Sequence, residues 1–138
     1  MKMAETTAFE LVSPERLLVS KDVEMVVVPG AEGYFGVLPR HAPMISTLMS
    51  GVIDIHHGGK VAEQIFIAGG FAEVTEERCT VLAEEAVAVA EIDLAATEAT
   101  ITRLKDDASA ASEDQERAQI AAQISVLEAK AAARRNSH

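Results

Sequence analysis

Tryptophan is absent, cysteine occurs once, and only 4% of the residues are aromatic, so any core must be built mainly from Val, Ile, Leu and Ala. A single cysteine excludes an intrachain disulfide. Cys79 lies in an apolar alternating run and reads as a small buried hydrophobe in a reducing compartment. Basic residues are scarce as well: 12 Lys and Arg stand against 22 Asp and Glu, for a formal charge of −10. That field repels phosphate backbones and anionic headgroups, which removes nucleic acid and direct membrane insertion or lipid binding from the expected roles. Apolar runs of the ~20 residues needed for a membrane span are missing. The first residues carry neither an apolar signal core nor an Arg-rich leader. The expectation is a soluble intracellular protein that reaches a membrane only through another protein.

Glycine and proline are missing from the last third. All eight glycines lie between Gly30 and Gly70 and all four prolines between Pro14 and Pro43, while alanine dominates beyond Glu91. A chain of 138 residues with 49% hydrophobic and 25% charged content is ordinary globular material. The change of composition near residue 91 divides it into a domain over 1–90 and an appendage over 91–138.

The first part alternates short β-branched runs with turn formers, which predicts strands over 9–12, 17–20, 23–28, 44–49, 52–56, 62–68, 72–75, 79–83 and 87–90. Strands this frequent mean a sandwich or a barrel, and the expected fold is an antiparallel β-sandwich. His57-Gly58-Gly59-Lys60 supplies the φ > 0 positions of a tight hairpin, and Gly69-Gly70 reads as a bulge or a close backbone approach. The second part predicts a two-helix antiparallel hairpin. Asp93 is the expected N-cap of a helix to about residue 107, and Ser112 with Gln115 has the spacing of a capping box for the next. Ile120, Ile124, Leu127 and Ala131 form one narrow apolar stripe, with Lys130, Arg134 and Arg135 at the carbonyl end. Three large aliphatics contribute at most about 5 to 9 kcal/mol if fully buried, much of it offset by ordering, so the hairpin reads either as an element that a partner can redistribute or as a permanently docked alanine-rich pair of helices.

Between the strands, residues 26–43 read Val-Val-Val-Pro-Gly-Ala-Glu-Gly-Tyr-Phe-Gly-Val-Leu-Pro-Arg-His-Ala-Pro. Pro29, Pro39 and Pro43 fix φ and withhold donors, so the segment reads as a stiff loop offering Tyr34, Phe35, Val37 and Leu38 at its rim. Gly30, Gly33 and Gly36 match neither a dinucleotide fingerprint nor a Walker A loop, and the prolines block the helix that should follow. His41 is a conceivable general base, but no Ser or Cys nucleophile with an orienter accompanies it. His56 and His57 lack further ligands at metal spacing. The pairs Glu76-Glu77, Glu84-Glu85 and Asp106-Asp107 diverge in direction and read as solvated. The residues thus favour a partner-gripping protein without catalytic, cofactor or metal site.

These motifs resemble those of the epsilon subunit of bacterial F-type ATP synthase along essentially the full length. The resemblance rests on Phe9-Glu10-Leu11-Val12-Ser13-Pro14-Glu15, on Gly30 to Pro43 with Glu32-Gly33, Gly36, Leu38-Pro39 and His41-Ala42-Pro43, on Gly51-Val52-Ile53, and on Gly69-Gly70-Phe71 followed by Val74. It implies a non-catalytic central-stalk subunit whose sandwich binds the gamma subunit and the c-ring, coupling proton-driven rotation to ATP synthesis. Its place would be peripheral, on the cytoplasmic side of the bacterial inner membrane.

Carried over by that resemblance, the c-ring contact falls on Tyr34, Phe35, Gly36, Val37, Leu38, Pro39, Arg40 and His41. The helical hairpin would restrain ATP hydrolysis by engaging the alpha/beta catalytic hexamer through Lys130, Arg134 and Arg135. Some family members bind ATP through an Ile/Leu-Asp-x-x-Arg-Ala motif. Here Ile92, Asp93, Ala96 and Thr97 occupy it without the arginine, so no nucleotide cofactor is expected. A β-sandwich adaptor or regulator of another complex is the competing reading, and it leaves the motif match unexplained.

Overall fold

The computed structural model describes residues 5–137. Among them the chain forms strands β1 (Thr7–Ser13), β2 (Arg16–Val23), β3 (Met25–Gly30), β4 (Gly33–Val37), β5 (Met44–His57), β6 (Lys60–Val74), β7 (Arg78–Ala83) and β8 (Ala86–Ala88). A 3-10 turn at Val89–Glu91 and helices α1 (Leu94–Ala110) and α2 (Asp114–Arg135) follow. Two compact units divide between Ala88 and Val89. The strand expected to reach residue 90 thus stops at Ala88.

In the first unit the strands run β2-β1-β7-β6-β5-β3-β4, with β8 also on β6. Val23 of β2 and Val37 of β4 come from opposite ends of that path, yet both belong to one core with Phe9, Leu11, Ile53, Ile67 and Val81. The sheet therefore folds over on itself into a sandwich, and the ion pair of Lys21 in β2 with Glu63 in β6 spans strands far apart in the path. One pair departs from the antiparallel expectation: β1 runs parallel to β7, Phe9 opposite Cys79 and Val12 opposite Leu82. The two strands are joined by no hairpin, so nothing local dictates their sense.

Two expected breaks are not breaks. β5 continues through Gly51 and β6 through Gly69-Gly70, with Leu48 opposite Gly70, Ser50 opposite Ala68 and Gly51 opposite Ile67. Register is kept on both sides, so the double glycine is no bulge against β5; it is a close approach. At Gly70, with φ 144°, a Cβ would stand 1.9 Å from the carbonyl oxygen of Leu82. There β6 passes from β7 to β8, held by Glu84 N–H donating to Gly69 O at 3.1 Å and Ala68 N–H to Glu85 O at 3.0 Å. The stretch read as one strand over 23–28 is broken at Glu24. The hairpin at Gly58-Gly59 forms with φ of 65° and 75°, and the Glu24 carboxylate accepts from Gly59 N–H at 3.1 Å.

In the second unit Asp93 caps α1 as its residue type requires, accepting from Ala96 N–H at 3.0 Å, and the helix runs to Ala110. The capping box at Ser112 does not form. The N-cap of α2 is Glu113, without a side-chain cap bond. Instead Arg117 donates to Ala111 O at 2.8 Å and pairs with Asp114, while Asp114 and Glu116 complement the positive end of the helix. Thr97, Ile101, Leu104 and Ala131 are buried. Ile120, Ile124 and Leu127 are only half-buried, so their contribution falls below the full-burial figure.

Candidate functional site

Residues 33–37, read as loop from their glycines, are the edge strand β4, paired with β3 from Val26 opposite Val37 to Gly30 opposite Gly33. Gly51 of β5 makes room for Tyr34. A Cβ there would lie 2.5 Å from the phenolic oxygen, which accepts from Val52 N–H at 3.3 Å. The inward side of β4 belongs to the core: Val37 is fully buried and Phe35 packs against the core cluster. Neither is a rim side chain, because alternation along a strand sends every second residue inward.

What remains of the rim is Tyr34, Gly36, Leu38 and Arg40, exposed, with Pro39 and His41 half-exposed. Tyr34 and Leu38 expose 60% and 56% of their surface, which leaves two large side chains outward in one short segment. The loop after β4 is pinned to the β6–β7 turn by Arg40 N–H donating to Glu76 O at 3.1 Å, and is closed by His41 N–H donating to Leu38 O at 3.1 Å. Arg40 holds φ at 64°, an unfavourable region for a side chain with a Cβ, and its guanidinium meets Glu5 at 2.8 Å. His41 Nδ1 lies 2.7 Å from the Ala42 carbonyl oxygen.

A second surface was not apparent from the sequence motifs. Pairing register aligns Leu17 of β2, Val12 of β1, Leu82 of β7, Phe71 of β6 and Thr47 of β5 in one row across the sheet. These residues share the face opposite the core, since their neighbours Leu11, Val81, Ala72 and Leu48 are buried. Leu17, Leu82 and Phe71 are each more than half exposed, and Ile45 and Met49, two residues to either side of Thr47, reach 75% and 57%. Glu73 and Glu10 border the row in the next register. The signal was present in β5 and β7: Met44-Ile45, Leu48-Met49 and Val81-Leu82 are apolar at both parities, whereas a strand with one wet face alternates.

In the helical unit Arg134 donates to Ser137 Oγ at 2.9 Å, Arg135 pairs with Glu98 at 2.8 Å, and Lys130 is engaged as well. At the start of α1, Ile92 is buried, the Asp93 carboxylate is spent on the cap, and the buried Thr97 hydroxyl donates to Asp93 O at 2.8 Å. The positions of the nucleotide motif are thus occupied in terminating and anchoring a helix. Burial pushes the Cys79 thiol up to about 12, which makes it a poor nucleophile. Among the described residues no group of three or more His, Cys, Asp or Glu is placed to hold a metal ion, and no helix is long and apolar enough to cross a membrane.

Residues 6–89 match the family model of the ATP synthase delta/epsilon chain β-sandwich domain. The chain belongs to the ATP synthase delta/epsilon chain family. Its similarity to curated epsilon chains extends past the sandwich into the helices. It is 55% identical over 133 residues to the ATP synthase epsilon chain of Rhodospirillum rubrum, covering 96% of this chain and 99% of the relative. It is 56% identical over 131 residues to that of Paramagnetospirillum magneticum, covering 95% and 98%.

Solved structures with the same fold include a chain of the Euglena gracilis mitochondrial ATP synthase, from an assembly of OSCP, F1 and c-ring. It has TM-score 0.80 and 23% identity, covering 93% of this chain and 81% of that one. Another is a chain of the Tetrahymena thermophila mitochondrial ATP synthase central stalk and c-ring, with TM-score 0.62 and 11% identity, covering 96% and 99%. Within the delta/epsilon frame, the rim and the apolar row are two separate outward features of the β-sandwich domain.

Proposed function

We propose that this epsilon-type chain is the rotor subunit that joins gamma to the c-ring in a proton-translocating F-type ATP synthase, with no catalysis of its own. The observation that carries the reading is the exposed row through Leu17, Leu82 and Phe71, extended by Ile45 and Met49. Contiguous apolar area of this kind marks a protein contact rather than a solvated surface. We assign the row to gamma and the rim of Tyr34, Leu38, Pro39, Arg40 and His41 to the c-ring. Two contacts on different parts of one rigid sandwich let torque pass from ring to stalk. The acidic balance of the chain suits attachment through protein rather than lipid, peripheral on the cytoplasmic side of the bacterial inner membrane.

The helical unit, residues 89–138, is the regulatory element in this reading. Lys130, Arg134 and Arg135 at the end of α2 present cations to carboxylates of the alpha/beta hexamer and restrain hydrolysis. Affinity purification of the tagged full-length chain from its own membranes tests the assignment. Gamma and a hexameric ATPase are expected to come down with it, and recovery of the chain free of both would overturn it.

A further inference from the structure

Arg135, one of the cations assigned above to the hexamer contact, is already held within the helical unit. Its Nη2 lies 2.8 Å from Glu98 Oε1, so the last residue of α2 is tied to the second turn of α1, 37 residues earlier. The cation stands where its helix favours it, in the last turn of α2. The two side chains are half exposed, at 52% and 48%, so the bond is reachable by solvent and by a competitor.

We infer that Glu98 is an intramolecular latch that competes with the partner's carboxylates for Arg135 and so sets how strongly the hairpin restrains hydrolysis. This rests on the regulatory reading of the α2 end. The pair does two things at once. It occupies a guanidinium donor that a partner carboxylate would otherwise take, and it resists separation of the end of α2 from the start of α1. A half-exposed ion pair is weak, which suits a trim on an equilibrium: too strong a latch would silence the contact, and none would leave the hairpin free to engage.

The experiment measures the concentration of full-length subunit that half-inhibits ATP hydrolysis by enzyme stripped of it. Four variants are compared with the wild type: Glu98→Gln, Arg135→Ala, the two combined, and Lys130→Ala/Arg134→Ala/Arg135→Ala. Helix content and melting of each are checked first by circular dichroism. Glu98→Gln is expected to lower the half-inhibitory concentration about twofold to fivefold, the range open to an exposed ion pair. That gain is expected to vanish when Arg135 is already alanine. An unchanged concentration in Glu98→Gln, or the same gain without Arg135, overturns the latch while leaving the regulatory reading in place, provided the triple variant relieves inhibition. A triple variant that inhibits like the wild type overturns that reading itself, and the latch with it.

Discussion

Gly70 lies so close to β7 that a Cβ on it would stand 1.9 Å from the Leu82 carbonyl oxygen, with φ at 144°. Both facts forbid any other residue, one by backbone overlap and one by conformation. Gly70→Ala is expected to destabilise the first unit by about 3 kcal/mol or more, read as a lower midpoint in urea. Gly58→Ala, at φ 65° with open space around it, costs about 1 kcal/mol by the same conformational argument.

Cys79 gives a pH dependence whose sign is fixed. Burial raises its thiol from 9.0 to about 12, so below pH ~9 the thiol is neutral folded and unfolded and stability is unaffected. Above that, the unfolded chain loses the proton while the folded chain keeps it, and stability falls by about 1.4 kcal/mol per pH unit until pH ~12. Denaturation curves of the wild type and Cys79→Ala between pH 8 and 11 should show the steeper fall only in the wild type. Equal slopes would mean the thiol is not held neutral.

The rim and the core part company between β4 and the residue that follows it. Leu38→Asp is expected to leave the melting temperature unchanged, because Leu38 is 56% exposed, and to weaken binding to a reconstituted c-ring by about tenfold. Phe35→Asp instead buries a charge beside the core and should destabilise the fold by several kcal/mol. A Leu38 variant that binds normally would remove the rim from the ring contact.

Much of the fold is legible in the amino-acid sequence. The strand-rich part, the hairpin at Gly58-Gly59, the cap at Asp93 and the buried Cys79 follow from local chemistry that nothing later in folding opposes. Reading glycine as a strand end is what fails. Strands expected to stop before Gly51 and before Gly69-Gly70 run on through them in β5 and β6, because there glycine answers a crowded neighbour rather than a turn, as the close-approach reading of Gly69-Gly70 has it. Gly33 and Gly36 likewise disguise β4. The exposed row through Leu82 and Phe71 depends on the parity of strands far apart in sequence, and on the parallel β1–β7 pairing that no local signal specifies. The cap read at Ser112 is missed because α2 starts one residue later, with Glu113 at the N-cap and no side-chain cap bond; Arg117 donates to the Ala111 carbonyl, which is not a group that a capping box serves.

Nucleotide binding is expected to be absent. Ala96 supplies no guanidinium, Asp93 is committed to the cap and the Thr97 hydroxyl to a backbone carbonyl. Charge-assisted arginine contacts to phosphate have no substitute in that arrangement. Calorimetry of ATP into the isolated subunit should show no heat of binding at micromolar concentrations, and a micromolar dissociation constant would contradict this.

The assignment of the apolar row to gamma is tested most directly by the affinity of the purified full-length subunit for purified gamma, with Phe71→Glu/Leu82→Glu beside the wild type. Both residues are about half exposed and face away from the core, so the variant should fold and melt like the wild type. A loss of affinity of about 100-fold or more is expected, as for two residues at the centre of a contact. A folded variant that binds gamma as tightly as the wild type would contradict it.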